Sequence, residues 1–343
     1  MFARFPKPLA QGSTIAITAF SSGVSEAGHA RLDLVLRDLK TKGYRVIEGQ
    51  CLRSNVNSVS GSAQNRADEL MRFLLDPSID AVFPPWGGEY AMELLPLLDY
   101  AALRRVSPKW ILGFSDVSTL AVALTQKLNW VTVHSANLMD LHNGQRDPLT
   151  AQTLTHLRLA DRQWFDQQSS AYFQRDYIDF TAQTDACLNL TEPTHWQALD
   201  GSPDVVMEGR LLGGCLDILF HLAGTEYFDL AQLRQRWRDD NIILYLENCE
   251  MSIPELKRAL LNLVMRGVFA NVAGVVFGRN AGPEACHGLT YRCVLHEIFD
   301  SVKFPVLLDA DIGHLPPNLC LMNGAKARIA FKQGKASVRQ WRP

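Results

Sequence analysis

Through the first 137 residues, short apolar runs alternate with stretches of helical periodicity, and this alternation constrains the fold more than any other feature. The runs 14–20 (TIAITAF), 44–49, 80–86, 109–114 and 130–137 read as strands. Between them, 29–43, 62–78, 92–100 and 116–129 carry apolar residues at helical spacing, and the first of these stops at Gly43. Strands that alternate with helices build a parallel sheet covered on both faces.

With 343 residues the chain exceeds what one core usually organises, so a second domain is expected. From about 140 to 205 the pattern weakens into Gln-, Thr-, Asp- and Pro-rich sequence. Its aromatic residues Trp164, Phe165, Tyr172, Phe173, Tyr177 and Trp196 speak for an ordered connector, because disordered segments are poor in aromatics. Regular patterning resumes near 205. Strands are expected at 241–248, 272–278 and 304–314, and helices at 252–267 and 291–302. Ser252 and Glu255 have the spacing of a capping box. A terminal hairpin turns at Gln333-Gly334. The expected division is an N-terminal α/β domain over 1–140, a connector over 141–204 and a C-terminal domain over 205–343.

Composition narrows the partners. The formal net charge is −2, and no dense Lys/Arg cluster is present to bind a nucleic-acid polymer. No run approaches the roughly 18 apolar residues that span a membrane. Pro6, Lys7 and Pro8 interrupt the start of the chain where a signal peptide would be apolar, so a cytoplasmic location is expected. The seven cysteines include no C-x-x-C pair, which fits unpaired thiols in a reducing compartment. Cys286-His287 and Cys293-His296 lack the paired knuckles of a structural zinc site, so neither metal nor cofactor is expected.

The chemistry gathers around WILGFSDVSTLAVAL (110–124), where an apolar strand hands over to a helix at Ser115. One reading is a helix cap, the commoner use of Ser and Asp at such a position. The other is a nucleophile at the carboxyl end of a central strand, where open α/β sheets bind ligands. Gly113 precedes Ser115 by two residues, but the full G-x-S-x-G elbow spacing is absent. Gly87-Gly88 follow another strand and allow close backbone approach to a ligand, with the Gly88 N–H as a second oxyanion donor beside the helix start. A nucleophilic serine needs a base and an orienting carboxylate. His314, on the loop DIGHLPPN, and Glu247, at the end of ILYLE, are candidates, with Glu250 a rival for the carboxylate. His29, His156 and His296 read as helix-face residues, and His134 and His221 as core histidines.

These stretches together resemble the serine peptidase family of LD-carboxypeptidases and microcin C self-immunity hydrolases. The resemblance rests on GGEYAMELLPLLDY, PKWILGFSDVSTL, GRLLGGCLDILFHLAGT, ILYLENCE, RALLNLVMRGVFANVAGVVFG and DIGHLPPNLCLMNGAKARI, in the family's order over nearly the whole chain. It implies a flavodoxin-like or amidotransferase-like N-terminal domain, a β-rich α/β C-terminal domain and a site between them, often in a homodimer. It also implies a triad of Ser115, Glu247 and His314, with backbone oxyanion donors at Gly88 and Asp116. Trp86, Gly87 and Glu89 become candidates for substrate contact. The implied reaction is cleavage of an amide or peptide bond, as in removal of a terminal D-residue from an L,D-linked murein peptide. The stretch LLPLLDY looks closer to the microcin-immunity branch. That branch would act on peptidyl- or aminoacyl-nucleotide conjugates, on whose base Trp86, Trp164 or Trp196 could stack. A non-catalytic small-molecule binding protein would use the same cleft. Two positions depart from the pattern: Asn248 stands where Asp is frequent, and Cys215 where GGN is usual.

Overall fold

The computed structural model describes residues 3–142, 144 and 146–343. In chain order the strands are β1 (Thr14–Ile17), β2 (Arg45–Glu48), β3 (Ala81–Phe83), β4 (Trp110–Ile111), β5 (Thr132–His134), β6 (Gln163–Gln168), β7 (Tyr172–Phe173), β8 (Glu192–Pro193) and β9 (Gln197–Ala198). They continue with β10 (Asp204–Cys215), β11 (Ile242–Glu247), β12 (Gly274–Gly278), β13 (Ala285–Cys286), β14 (Leu289–Thr290), β15 (Val306–Ala310), β16 (Leu321–Asn323), β17 (Lys326–Lys332) and β18 (Lys335–Arg342). The α-helices are α1 (His29–Thr41), α2 (Ala63–Leu75), α3 (Tyr100–Leu103), α4 (Val117–Leu128), α5 (Pro148–His156), α6 (Leu216–Leu222), α7 (Leu230–Arg236), α8 (Ile253–Met265) and α9 (Tyr291–Phe299).

The expected N-terminal α/β domain forms. Its strands run in the order β2-β1-β3-β4, all parallel. A parallel bridge from Leu112 to Val133 carries the sheet on to β5. The strands are shorter than the apolar runs that announce them. TIAITAF leaves the ladder after Ile17: Thr18 N–H still donates to Phe83 O of β3 at 3.3 Å, but Ala19 N–H turns to the loop carbonyl of Cys51 at 2.6 Å. The run 92–100 forms a 3₁₀ helix over Ala91–Leu97, with Pro96 inside it denying an α-helical hydrogen bond.

The C-terminal domain is built on one mixed sheet of order β6-β18-β17-β10-β11-β12-β15-β9. Its β10-β11-β12-β15 section is parallel, and the flanking pairs are antiparallel. Both edge strands, β6 and β9, come from the 141–204 stretch, so the aromatic-rich connector is part of this sheet as well as a link. Phe165 of β6 packs into the N-terminal core, while Trp196 joins the core under the C-terminal sheet. The capping box at Ser252 and Glu255 is present at the start of α8. The terminal hairpin turns on Gln333 and Gly334, both with positive φ. The short helices α5, α6 and α7 had no helical expectation. Seven to nine residues cover too few turns for their period to stand out. Among the described residues no helix is long and apolar enough to cross a membrane.

The two domains meet where their parallel strands end. β16 leaves the C-terminal domain and pairs antiparallel with β5 of the N-terminal sheet. Ser118 in the first turn of α4 accepts the Cys215 N–H at 3.0 Å, joining the helix after Ser115 to the end of β10.

Candidate active site

Ser115 lies between β4 and α4 with φ +62°, a left-handed conformation that is costly for a residue with a side chain. The capping reading fails here. The N-cap of α4 is Asp116, and among the described residues no side-chain cap is made at that helix start. The Asp116 carboxylate is spent elsewhere: Oδ2 accepts from Ser21 Oγ at 2.6 Å and Ala91 N–H at 2.8 Å, and Oδ1 accepts from Thr119 Oγ at 2.7 Å. Asp116 thus ties three segments together around the serine. Burial raises its pKa against the pull of these donors. Asn137 Oδ1 accepts the Phe114 N–H at 3.0 Å and fixes the turn from below.

The Gly87-Gly88 segment folds against this turn. A Cβ on Gly87 would lie 2.7 Å from Asp116 N and 3.0 Å from Ser115 Oγ. Gly88 has φ +139°, and a Cβ there would lie 2.4 Å from Ser22 Oγ and 2.5 Å from Ser21 Oγ. Only glycine fits both the angle and the space. Among the described residues neither the Gly88 nor the Asp116 N–H finds an acceptor. Both residues border the crevice into which Ser115 opens, a space of about 550 Å³.

The C-terminal domain supplies the opposite wall. Glu247 is the last residue of β11 and is fully buried. Its Oε2 lies 2.9 Å from His314 Nδ1. Glu250, the rival carboxylate, is exposed at the crevice mouth, where its N–H donates to Asp217 Oδ1. Burial alone would favour the uncharged forms of both partners. The charge and hydrogen bond of each on the other reverse this: His314 is held well above the usual histidine range, with help from Cys249, and Glu247 is held below its usual value. The His314 ring also meets the edge of Phe114, the neighbour of Ser115, with centroids 4.9 Å apart.

The loop that carries His314 is held by residues that sequence reading missed. Asn318 accepts the Gly313 N–H and returns a bond from Nδ2 to Gly313 O at 2.9 Å. Gly313 has φ +100°, and a Cβ there would lie 2.4 Å from Glu247 Oε2. Asp311 forms a buried ion pair with Arg279, accepts the Trp196 indole N–H at 2.9 Å and so anchors the loop's root. Ser21 is a further omission. The only sequence signal for these residues was their place in loops that follow strands.

The remaining candidates are placed as follows. Trp86 is half-buried, donates its indole N–H to Ser22 O at 3.1 Å and packs against the N-terminal core. Glu89 is exposed at the crevice, and burial of its carboxylate together with Glu250, Asp116 and Asp217 raises its pKa. Trp164 lies on the outer strand β6 against Trp341, and Trp196 is buried in the core, so neither lines the crevice. Asn248 is buried and bonds to Asn280 and Met251. His221, expected in the core, is exposed and lines the crevice. His134 is buried as expected, but neither ring nitrogen has a hydrogen-bond partner among the described residues. Burial lowers its pKa to about 4.

Comparison with known proteins places both domains in one family. The LD-carboxypeptidase N-terminal domain matches residues 15–135, and the LD-carboxypeptidase C-terminal domain matches residues 208–329. This chain belongs to the LD-carboxypeptidase family. It is accordingly a serine-type peptide hydrolase, and the reading as a non-catalytic binding protein is not favoured. Among relatives, the microcin C7 self-immunity protein MccF of Escherichia coli is 28% identical over 343 residues, covering 96% of this chain and 94% of its own. The probable murein peptide carboxypeptidase of Bacillus subtilis is 26% identical over 337 residues, covering 97% and 93%. A solved structure of MccF in complex with glutamyl sulfamoyl guanosine superposes with a TM-score of 0.84 at 25% identity, covering 100% of this chain and 99% of that one. The LD-carboxypeptidase fold thus accounts for both sheets and for the crevice between them.

Proposed function

We propose that this LD-carboxypeptidase relative cleaves peptide bonds with Ser115 as nucleophile, His314 as base and Glu247 as the orienting carboxylate. The observation that carries the reading is the Glu247–His314 contact at 2.9 Å, supported by the packing of the His314 ring against Phe114, the neighbour of a serine held at φ +62°. Glu247 accepts a hydrogen bond from Nδ1–H and leaves Nε2 as the ring atom that takes the proton of Ser115 Oγ. The developing imidazolium is stabilised by the buried carboxylate. The Gly88 and Asp116 N–H groups donate to the oxyanion, with no reorganisation when charge appears. Water then releases the acyl group, with His314 acting as base a second time.

The substrate class proposed is a short murein-type peptide, cut at the L,D bond that holds its terminal D-residue. Gly87 lets the scissile carbonyl approach Ser115 closely. Glu89 stands at the mouth as a substrate contact, and Trp86 acts through the loop it holds. Incubation with an L,D-linked muropeptide and, separately, with an aminoacyl-sulfamoyl nucleoside distinguishes substrates by product mass. Loss of one terminal D-amino acid from the muropeptide is the expected result. Cleavage of the nucleoside conjugate alone would transfer the assignment to the microcin-immunity type of substrate.

A further inference from the structure

Cys215 and Glu247 are partners in the parallel ladder between β10 and β11, so their side chains leave the same face at the ends of adjacent strands. The Cys215 Sγ, a Glu247 carboxylate oxygen and a ring nitrogen of His314 all lie within 4.8 Å of one another. Glu247 Oε1 is buried and has no hydrogen-bond partner among the described residues. The Cys215 thiol, which also reaches Asp217 Oδ2 at 3.5 Å, is the neighbour able to donate to this carboxylate, and a cation shared by thiol and carboxylate would satisfy the same oxygen.

Thiolate, imidazole and carboxylate are the ligand types of zinc, and three protein ligands with an open fourth position are a common Zn²⁺ geometry. The fourth position here would face the crevice, which Cys215 borders together with Ser115. We propose that Cys215, Glu247 and His314 form an inhibitory Zn²⁺ site.

The protons balance as follows. Zn²⁺ displaces the thiol proton of Cys215 and the Nδ1 proton of the imidazolium, and both pass to solvent. The ring keeps its proton on Nε2. In that state Nε2 has no lone pair to offer Ser115, so hydrolysis stops until the metal leaves. The inhibition rests on the triad proposed above; the binding does not.

The full chain, stripped with a chelator, is titrated with Zn²⁺ by calorimetry and with Co²⁺ by absorption. One equivalent should bind, and Co²⁺ should give a near-ultraviolet thiolate charge-transfer band. Cys215→Ala should lose that band and bind Zn²⁺ more weakly by at least the roughly 10–100-fold that even an outer-shell partner contributes. Ser115→Ala should retain both. If Cys215→Ala does not fold by circular dichroism, Glu247→Gln serves instead and should also weaken binding. No saturable binding, or unchanged affinity and band in the variants, would overturn the site. Zn²⁺ that occupies it without slowing wild-type hydrolysis would overturn its inhibitory role.

Discussion

His314 Nδ1 lies 2.9 Å from Glu247 Oε2, and Glu247 has no exposure to solvent. Burial works against charge on the imidazole, but the Glu247 carboxylate outweighs it and holds His314 above the ordinary value of 6.5. The reaction uses the neutral ring. Activity should therefore rise with pH, with the acid limb of kcat/KM above 6.5. Glu247→Gln removes the charge that raises His314, so its limb should move to lower pH. The same change disturbs the tautomer and should lower kcat by about 10⁴. Initial-rate profiles of the two proteins check both parts.

Ser115 bears strain that Ala would share and Gly would relieve. Ser115→Gly should exceed Ser115→Ala in stability by about 1 kcal/mol, because the left-handed conformation penalises a Cβ. Denaturant unfolding of the two variants measures the difference. Equal stabilities would mean that the serine is not held in that conformation.

Gly88→Ala tests the oxyanion donor. The new Cβ would press on Ser21 and Ser22 and displace the Gly88 N–H. A loss of about 10²–10³ in kcat is expected, the usual cost of one such donor. Steady-state kinetics should show kcat falling more than KM rises.

Much of this site could be read from residue types and order. The apolar run before Ser115, the glycine pair after β3 and the strand-end Glu247 each marked a place where a parallel sheet ends. Local sequence left Ser115 open between cap and nucleophile, because both roles use the same residue at the same bend. The φ of +62° and, among the described residues, the absence of a side-chain cap on α4 speak against the cap, and neither can be read from local sequence. Asn318, Ser21 and Asp311 escaped notice because they act through contacts with distant segments. Ser21 meets Asp116 across 95 positions, and Asp311 meets Trp196 across 115. The dual role of the connector was hidden for a related reason: β6 and β9 find their partners at the far end of the chain and on β15.

His156 offers a test of the connector's packing. It stacks on Phe165 with centroids 4.2 Å apart, and its Nε2 has no hydrogen-bond partner among the described residues. Burial lowers its pKa from 6.5 to about 4. Between these values the unfolded chain binds a proton that the folded chain does not. Stability present above pH 6.5 is therefore lost as pH falls through 4, by roughly 3 kcal/mol. His156→Leu removes this contribution. The stability difference between variant and wild type should shift in the variant's favour by about that amount from pH 7 to pH 4, as read from urea unfolding at each pH.

The most direct measurement is peptide mapping after reaction with a fluorophosphonate. A single adduct on Ser115 is predicted, absent from Ser115→Ala and strongly slowed in His314→Ala, with peptide hydrolysis lost in step with labelling. An adduct on another residue, or a Ser115→Ala protein that still turns over its substrate, would contradict the account.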